Sequence, residues 1–234
     1  MKLGCVITMH SEHELVLKSI ICLRKFYPEI VLIVVHSDDK LETSALSQIK
    51  EMANEYLLLS DLSLNISRQA FRLRFGSRAW GRNYSKGFSL LYEKYNVDFT
   101  IAFSGDTYVY DASRISQRIL EMQSNNYVCY VSKLFGCKLH ASTDMPEENI
   151  VENRPQDENS TDIIPNFFIL DGKFANKTKA FSNIEITNEL TFEQCMGDEL
   201  TRALGNIKKQ QVGILSKTAY GYKDGIIEQY LDKK

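Results

Sequence analysis

Ile30-Val31-Leu32-Ile33-Val34-Val35 is a continuous apolar run with no polar residue in alternation, the pattern of a strand buried on both faces. Such a strand needs cover on each side, so the chain must supply helices for two faces of one sheet. The flanking sequence supplies them. Leu3 to Met9 reads as a first strand. Ser11-Glu12-His13-Glu14 has the form of a capping box, and Leu15, Val16, Ile20, Leu23 and Tyr27 follow at helical spacing until Pro28. After the apolar run and its polar tetrad His36-Ser37-Asp38-Asp39, a second helix spans about Thr43 to Glu55, with Leu46, Ile49 and Met52 on one stripe. Tyr56 to Leu59 reads as a third strand. A third helix, Ser77 to Tyr95, aligns Trp80, Tyr84, Phe88, Leu91 and Tyr95 along one face, as core residues. Strand–helix–strand–helix with tight polar turns predicts an α/β fold whose central sheet is mostly parallel.

Val97 to Asp111 then carries the strongest chemical signal. Phe99-Thr100-Ile101-Ala102-Phe103 has strand composition and breaks at Ser104-Gly105-Asp106-Thr107, which sets a carboxylate past the strand's carboxyl end. Ligands bind at that edge of open α/β sheets. A sharp Gly turn followed by an acid suits a metal–diphosphate site. The plain alternative is a turn whose acid starts the next helix, for which Asp111-Ala112-Ser113 also supplies caps.

The second half is less regular. Ser113 to Gln123 reads as a helix and Tyr127 to Phe135 as a strand. Ser142 to Pro165 is polar and acidic, the composition of a long mobile loop. Asn166 to Leu170 reads as a strand, Phe192 to Leu204 as a helix and Val212 to Leu215 as a last strand. The chain of 234 residues is expected to form a single domain of two halves, 1–111 and 112–234.

Composition narrows the partners. A formal net charge of −2 gives no footprint for nucleic acid. Five scattered cysteines, with no Cys-x-x-Cys, read as reduced core thiols, and no apolar run approaches the ~20 residues of a membrane span. A cytoplasmic location is the expectation. Gly-x-Gly-x-x-Gly, the P-loop pattern and Gly-x-Ser-x-Gly are all absent, which counts against dinucleotide oxidoreductases, P-loop enzymes and serine hydrolases.

Four segments in order resemble the GT-A glycosyltransferases, sugar-nucleotide-dependent transferases with an N-terminal nucleotide-binding α/β half. They are Cys5-Val6-Ile7-Thr8-Met9-His10 with Ile33 to Asp39, Gly81-Arg82-Asn83-Tyr84-Ser85-Lys86-Gly87, Ser104-Gly105-Asp106, and Gly197-Asp198-Glu199-Leu200-Thr201-Arg202. The resemblance implies a nucleotide-sugar donor, UDP-sugar first, and a glycan acceptor. It implies donor contacts from Thr8, His10, Asp38, Asp39, Arg78, Arg82, Asn83 and Ser104. It also implies a Mn2+ or Mg2+ ion on Asp106, and a catalytic base in the acidic pair, Glu199 ahead of Asp198. The chain departs from the pattern at Ser104, where the family's D-x-D has its first Asp, and at His10, where the family often has Asn. Taken singly, the residues have plainer readings. Arg78 and Arg82 suit a solvated helix start, and Asp38, Asp39, Asp198 and Glu199 suit helix N-termini. His10 and His13 suit polar turns. A nucleotidyltransferase of related fold lacks its Gly-rich, basic first loop between Met9 and Leu15. A non-catalytic sugar-nucleotide or glycan-binding module fits the incomplete D-x-D.

Overall fold

The alternation of apolar runs and helical stripes becomes one sheet with helices on both faces. A computed structural model describes residues 1–37, 42–59, 76–133, 163–184, 192–205, 212–216 and 226–229. The elements in chain order are β1 (Leu3–Met9), α1 (His13–Phe26), β2 (Val31–Ser37), α2 (Ser44–Met52), β3 (Glu55–Leu59), α3 (Gly76–Lys94), β4 (Phe99–Ser104) and β5 (Thr107–Val109). A short 3-10 turn at Ala112–Arg114 leads into α4 (Ile115–Asn125), then β6 (Cys129–Lys133), β7 (Ile163–Asp171), α5 (Gly172–Thr178), α6 (Phe192–Leu204), β8 (Val212–Ser216) and β9 (Ile227–Gln229). The central sheet has seven strands in the order β3-β2-β1-β4-β7-β6-β8, and β5 pairs with β9 in a separate ribbon.

Every residue of β1, β2 and β4 is buried. Alternation sorts their side chains. Cys5, Ile7 and Met9 of β1, Leu32 and Val34 of β2 and Ile101 and Phe103 of β4 meet α1, α2 and α4. Val6, Ile33, Val35 and Ala102 face the other way, with Phe168 and Leu170 of β7, and meet α3, α5 and α6. On that second face Phe168 stacks on Phe88 with ring centroids 6.0 Å apart and lies 4.9 Å from Phe181.

Several expected boundaries move. The Ser11–Glu14 capping box does not form, because Glu12 is the N-cap and its side chain caps nothing in the helix. Its Oε2 instead accepts the His10 N–H at 2.9 Å, which closes the β1–α1 turn. Strand β2 runs on through His36 and Ser37, both buried. Helix α2 stops at Met52 because Asn54 is recruited elsewhere. Its backbone N–H donates to the Leu32 carbonyl and its side-chain Oδ1 accepts the Leu32 N–H, which docks the start of β3 beside β2.

The sheet departs from parallel at one strand, β7, which is antiparallel to both β4 and β6. It begins at Ile163, so residues 163–165 belong to a strand and not to the expected loop. Pro165 is tolerated there. Pairing with β4 extends only to Phe167, and the β6 ladder is interrupted between Tyr130 and Ser132, so its missing N–H breaks no bond in either ladder. The rest of the expected loop, residues 142–162, lies outside the described residues. Helix α5 and strand β9 carried no sequence expectation.

Helix α3 owes its position to Gly87. A Cβ there would stand 2.5 Å from Val6 Cγ1 and 3.1 Å from Val35 Cγ2, two side chains too stiff to step aside. Alanine would gain about 1 kcal/mol of helix propensity, while overpacking costs typically 1–3 kcal/mol. Gly87→Ala is therefore expected to lower the urea midpoint, with the slope unchanged. A raised midpoint would mean that the helix does not lie this close to the sheet.

Candidate active site

The carboxyl ends of β1, β2 and β4 finish level with one another. Thr8 of β1 pairs with Val35 of β2 and with Ser104 of β4, and Met9 pairs with His36. Thr8, Ser37 and Ser104 are all buried at this edge. The early turns of α3 lie over it. Asn83, fully buried, donates from Nδ2 to Ser37 Oγ at 2.5 Å. Its Oδ1 accepts from Arg82 Nε at 3.3 Å and Nη2 at 3.2 Å. A guanidinium can only donate, so these contacts fix which end of the Asn83 amide is oxygen. Arg82 Nη2 also reaches the Leu59 carbonyl at the end of β3, at 3.4 Å.

Asp106 stands just past β4, in the turn before β5. Its Oδ1 accepts a short hydrogen bond from Ser104 Oγ and a long one from Thr107 Oγ1 at 3.5 Å. Gly105 allows the turn to sit against the β1–α1 turn, since a Cβ there would lie 2.8 Å from Glu12 Oε2 and 3.2 Å from Met9 Cα. Across the edge stands Tyr84 of α3. Burial pushes its phenol well above the ordinary value, the Thr8 hydroxyl pulls it back and the Asp106 carboxylate pushes it up further. Thr8 Oγ1 is near enough for that effect, yet it makes no hydrogen bond of good geometry among the described residues.

His10 keeps the turn position expected of it, whereas His13 opens α1 and is buried. His36 is buried too, with its Nε2 3.4 Å from that of His13. His36 Nε2 also meets the His10 carbonyl at 2.8 Å, and His13 Nδ1 meets Thr43 Oγ1 at 3.1 Å. His10 itself is exposed, and its engaged atom here is the backbone oxygen.

The acidic pair lies on α6, which packs against β7 and α3 on one face of the sheet. Asp198 and Glu199 do not open a helix, because α6 begins at Phe192. Glu199 is therefore about 10 Å along the helix from its start, and a stabilised helix N-terminus does not explain it. Asp198 is exposed and Glu199 buried. Both Glu199 oxygens are engaged: Oε1 accepts from the Phe181 N–H at 2.9 Å and Arg202 Nη2 at 2.6 Å, and Oε2 from Arg202 Nε at 2.7 Å. This fork raises the Arg202 pKa.

Thr8, Asn83, Arg82, Ser104 and Asp106 thus lie along one edge. Asp38, Asp39 and the Arg78 side chain lie outside the described residues. Ser37, Tyr84 and Thr107 join the edge without having been singled out. Each stood inside a segment that carried a signal: Ser37 in the polar tetrad, Thr107 in the break after β4 and Tyr84 in the Gly81–Gly87 segment. Among the described residues no three His, Cys, Asp or Glu side chains converge on a metal position. A single carboxylate fits a cation that brings phosphate and water oxygens with it, which is the habit of Mg2+. Among the described residues, too, no helix is long and apolar enough to cross a membrane.

Glu199→Ala would leave the Phe181 N–H without its acceptor and Arg202 without its partner. A buried unsatisfied group costs about 1–3 kcal/mol, so the variant should unfold at lower urea. Glu199→Gln keeps an acceptor for Phe181 and should lose less. Equal losses would mean that the Arg202 fork carries the whole effect.

No family model matches the sequence, and neither does any curated protein. Solved structures do match. A structure of S. aureus TarS, residues 1–349, superposes with a TM-score of 0.55 at 13% identity, over 94% of this chain and 59% of that one. A second S. aureus TarS structure gives 0.53 at 11% identity, over 99% and 37% respectively. Mouse xyloside xylosyltransferase 1, in its apo form, gives 0.45 at 10% identity, over 92% and 85%. The chain thus spans a little over half the length of the first TarS structure and just over a third of the second, and with both it shares a fold.

Proposed function

We propose that the chain is a glycosyltransferase of GT-A type that takes a sugar from a nucleotide diphosphate, UDP-sugar first, and passes it to a hydroxyl of a glycan. One observation carries the reading. The first three segments of the sequence resemblance contribute Thr8, Ser37, Asn83 and Asp106, and these line one buried polar edge at the carboxyl ends of β1, β2 and β4. The edge offers hydroxyl and amide groups for a nucleoside, and Asp106 with Arg82 for the diphosphate.

Breaking the glycosidic bond builds negative charge on the diphosphate. Asp106 is the residue that would hold a divalent cation, Mn2+ or Mg2+, whose charge offsets it. An inverting transfer also needs a carboxylate to take the acceptor's proton. Within the acidic pair the hydrogen bonding favours Asp198 for this task. Glu199 already accepts the Arg202 fork and the Phe181 N–H, and exposed Asp198 is accessible to an acceptor.

Thermal shifts with UDP, GDP, CDP and TDP, with and without Mn2+, test the donor. A nucleotide at 100 times its dissociation constant should add about 2.7 kcal/mol of stability. Asp106→Asn is expected to keep the fold and lose the Mn2+-dependent part of the shift. With UDP-sugars and acceptor present, Asp198→Asn should slow UDP release by roughly 100-fold while leaving UDP binding intact. Binding without any release of UDP from a donor panel would make the chain a sugar-nucleotide-binding module instead. Unchanged release in both the Asp198 and Glu199 variants would point to a retaining enzyme.

A further inference from the structure

We propose that Tyr108 and Tyr110 form an aromatic platform beside Asp106, on which a sugar ring of the glycan acceptor stacks. The inference rests on the glycosyltransferase reading above and deepens it by naming the face that holds the acceptor. Along residues 106–110 burial alternates. Thr107 and Val109 are fully buried, at 0% exposure, while Asp106, Tyr108 and Tyr110 are half-buried. Alternate residues of a strand share a face, so the two tyrosines continue the side of the chain on which Asp106 stands. Their ring centroids lie 6.4 Å apart. At about 3.3 Å of rise per residue they stand about 7 Å and about 13 Å past Asp106, farther out than the diphosphate that Asp106 would serve.

The strand beneath the rings is fixed from both sides. Val109 belongs to the core that includes α1, and its N–H donates to Ser19 Oγ at 3.0 Å. Strand β9 pairs along the other edge, and the Tyr110 N–H donates to the Ile226 carbonyl at 3.0 Å. A tyrosine has only two side-chain torsions to order, so rings on a held strand offer contact area at low entropic cost. A pyranose suits such rings. Its C–H faces are apolar and meet the negative face of an aromatic ring, while its hydroxyls stay at the rim, within reach of water or of the tyrosine hydroxyls. Charge favours a neutral ligand as well. Asp106 and the Asp111–Arg114 pair, 3.3 Å apart, flank the rings, and their net negative charge repels a further phosphate but not an uncharged sugar.

The test follows NMR saturation transfer from the full chain to maltose, lactose and chitobiose, with UDP and Mn2+ present. The UDP thermal shift and the urea midpoint are recorded in parallel. The wild-type chain should bind at least one of these disaccharides. Tyr108→Ala and Tyr110→Ala should each weaken that binding by roughly 10-fold, and Tyr108→Phe and Tyr110→Phe by less than about threefold, because the ring face carries the contact. The UDP shift should be the same in every variant. Tyr108→Leu keeps apolar bulk without a ring face, so it decides the matter if the alanine variants unfold, and it too should lose the binding. Disaccharide binding that ignores the loss of the rings overturns the inference and makes the pair a clasp for the β5–β9 ribbon, felt only in the urea midpoint. So does a chain that binds UDP but none of the disaccharides. A Tyr108→Ala chain that loses UDP and keeps saccharide also overturns it, since the ring would then hold the base. The donor reading survives all of these results. Ring-dependent saccharide binding without any UDP shift leaves the platform standing and removes the nucleotide donor.

Discussion

The absence of one methyl group decides how close α3 can lie to the sheet. Gly87 rests on Val6 and Val35 at distances no Cβ could share, so the helix backbone drops onto β1 and β2. Asn83 is one turn earlier on the same side. The close approach is what brings its amide within hydrogen-bonding reach of Ser37, and what sets Tyr84 across from Thr8 and Asp106. Arg82, next in line, spans to the end of β3. The polar edge is thus assembled by an apolar contact a full turn below it. A larger residue at 87 would lift the whole group together, and hydrogen bonds are steeply sensitive to such shifts.

A second constraint operates on the same face, farther along the sheet. Phe181 sits in the left-handed region, φ 61, where a bulky residue is strained. Its ring is needed there, packed 5.6 Å from Phe88 and 4.9 Å from Phe168. Strain of this kind, about 1–3 kcal/mol, persists only when surrounding contacts fix the backbone. Glu199 supplies one such contact by accepting the Phe181 N–H, and Arg202 holds Glu199 in place. An acid that the family pattern marks for catalysis is thereby tied into the core that supports α3.

The strands and helices were legible wherever burial alone dictated residue type. β1, β2, β4, α3 and α6 follow their apolar patterns closely because each buries a continuous stripe or run. Legibility failed where a polar side chain did something other than its usual local task. Ser11 and Glu14 have capping spacing, but Glu12 turned back to His10 and took the cap position. Asn54 shortened α2 by pairing with Leu32, a contact over 22 positions that no local pattern encodes. The reversal of β7 was hidden for a similar reason. Strand direction depends on the route of the connection, and composition is silent about routes. At the site, spacing could mark Asp106 and Asn83. It could not show that the serine at 104 would serve the aspartate, nor that Tyr84, read as core, would turn its hydroxyl toward the edge.

Hydrogen bonds link the buried polar groups behind this edge. The His10 carbonyl only accepts, so His36 Nε2 must carry a proton, while Nδ1 meets the Tyr56 hydroxyl. Burial, with Glu42 adding to it, pushes the Tyr56 phenol up to about 12, so it stays protonated and can donate. His13 Nε2 packs against His36 Nε2, and His13 Nδ1 meets the Thr43 hydroxyl, which also takes the Leu46 N–H. The chain of bonds ties β1, β2, β3, α1 and the cap of α2 into one arrangement, as satisfied buried networks do. Thr8 is the contrast. It is as buried as His36, yet its hydroxyl lacks a good partner among the described residues, a state that costs about 1–3 kcal/mol. Thr100, within β4, is in the same state, so burial inside the parallel strands, and not the edge itself, is what leaves these hydroxyls without a partner among the described residues.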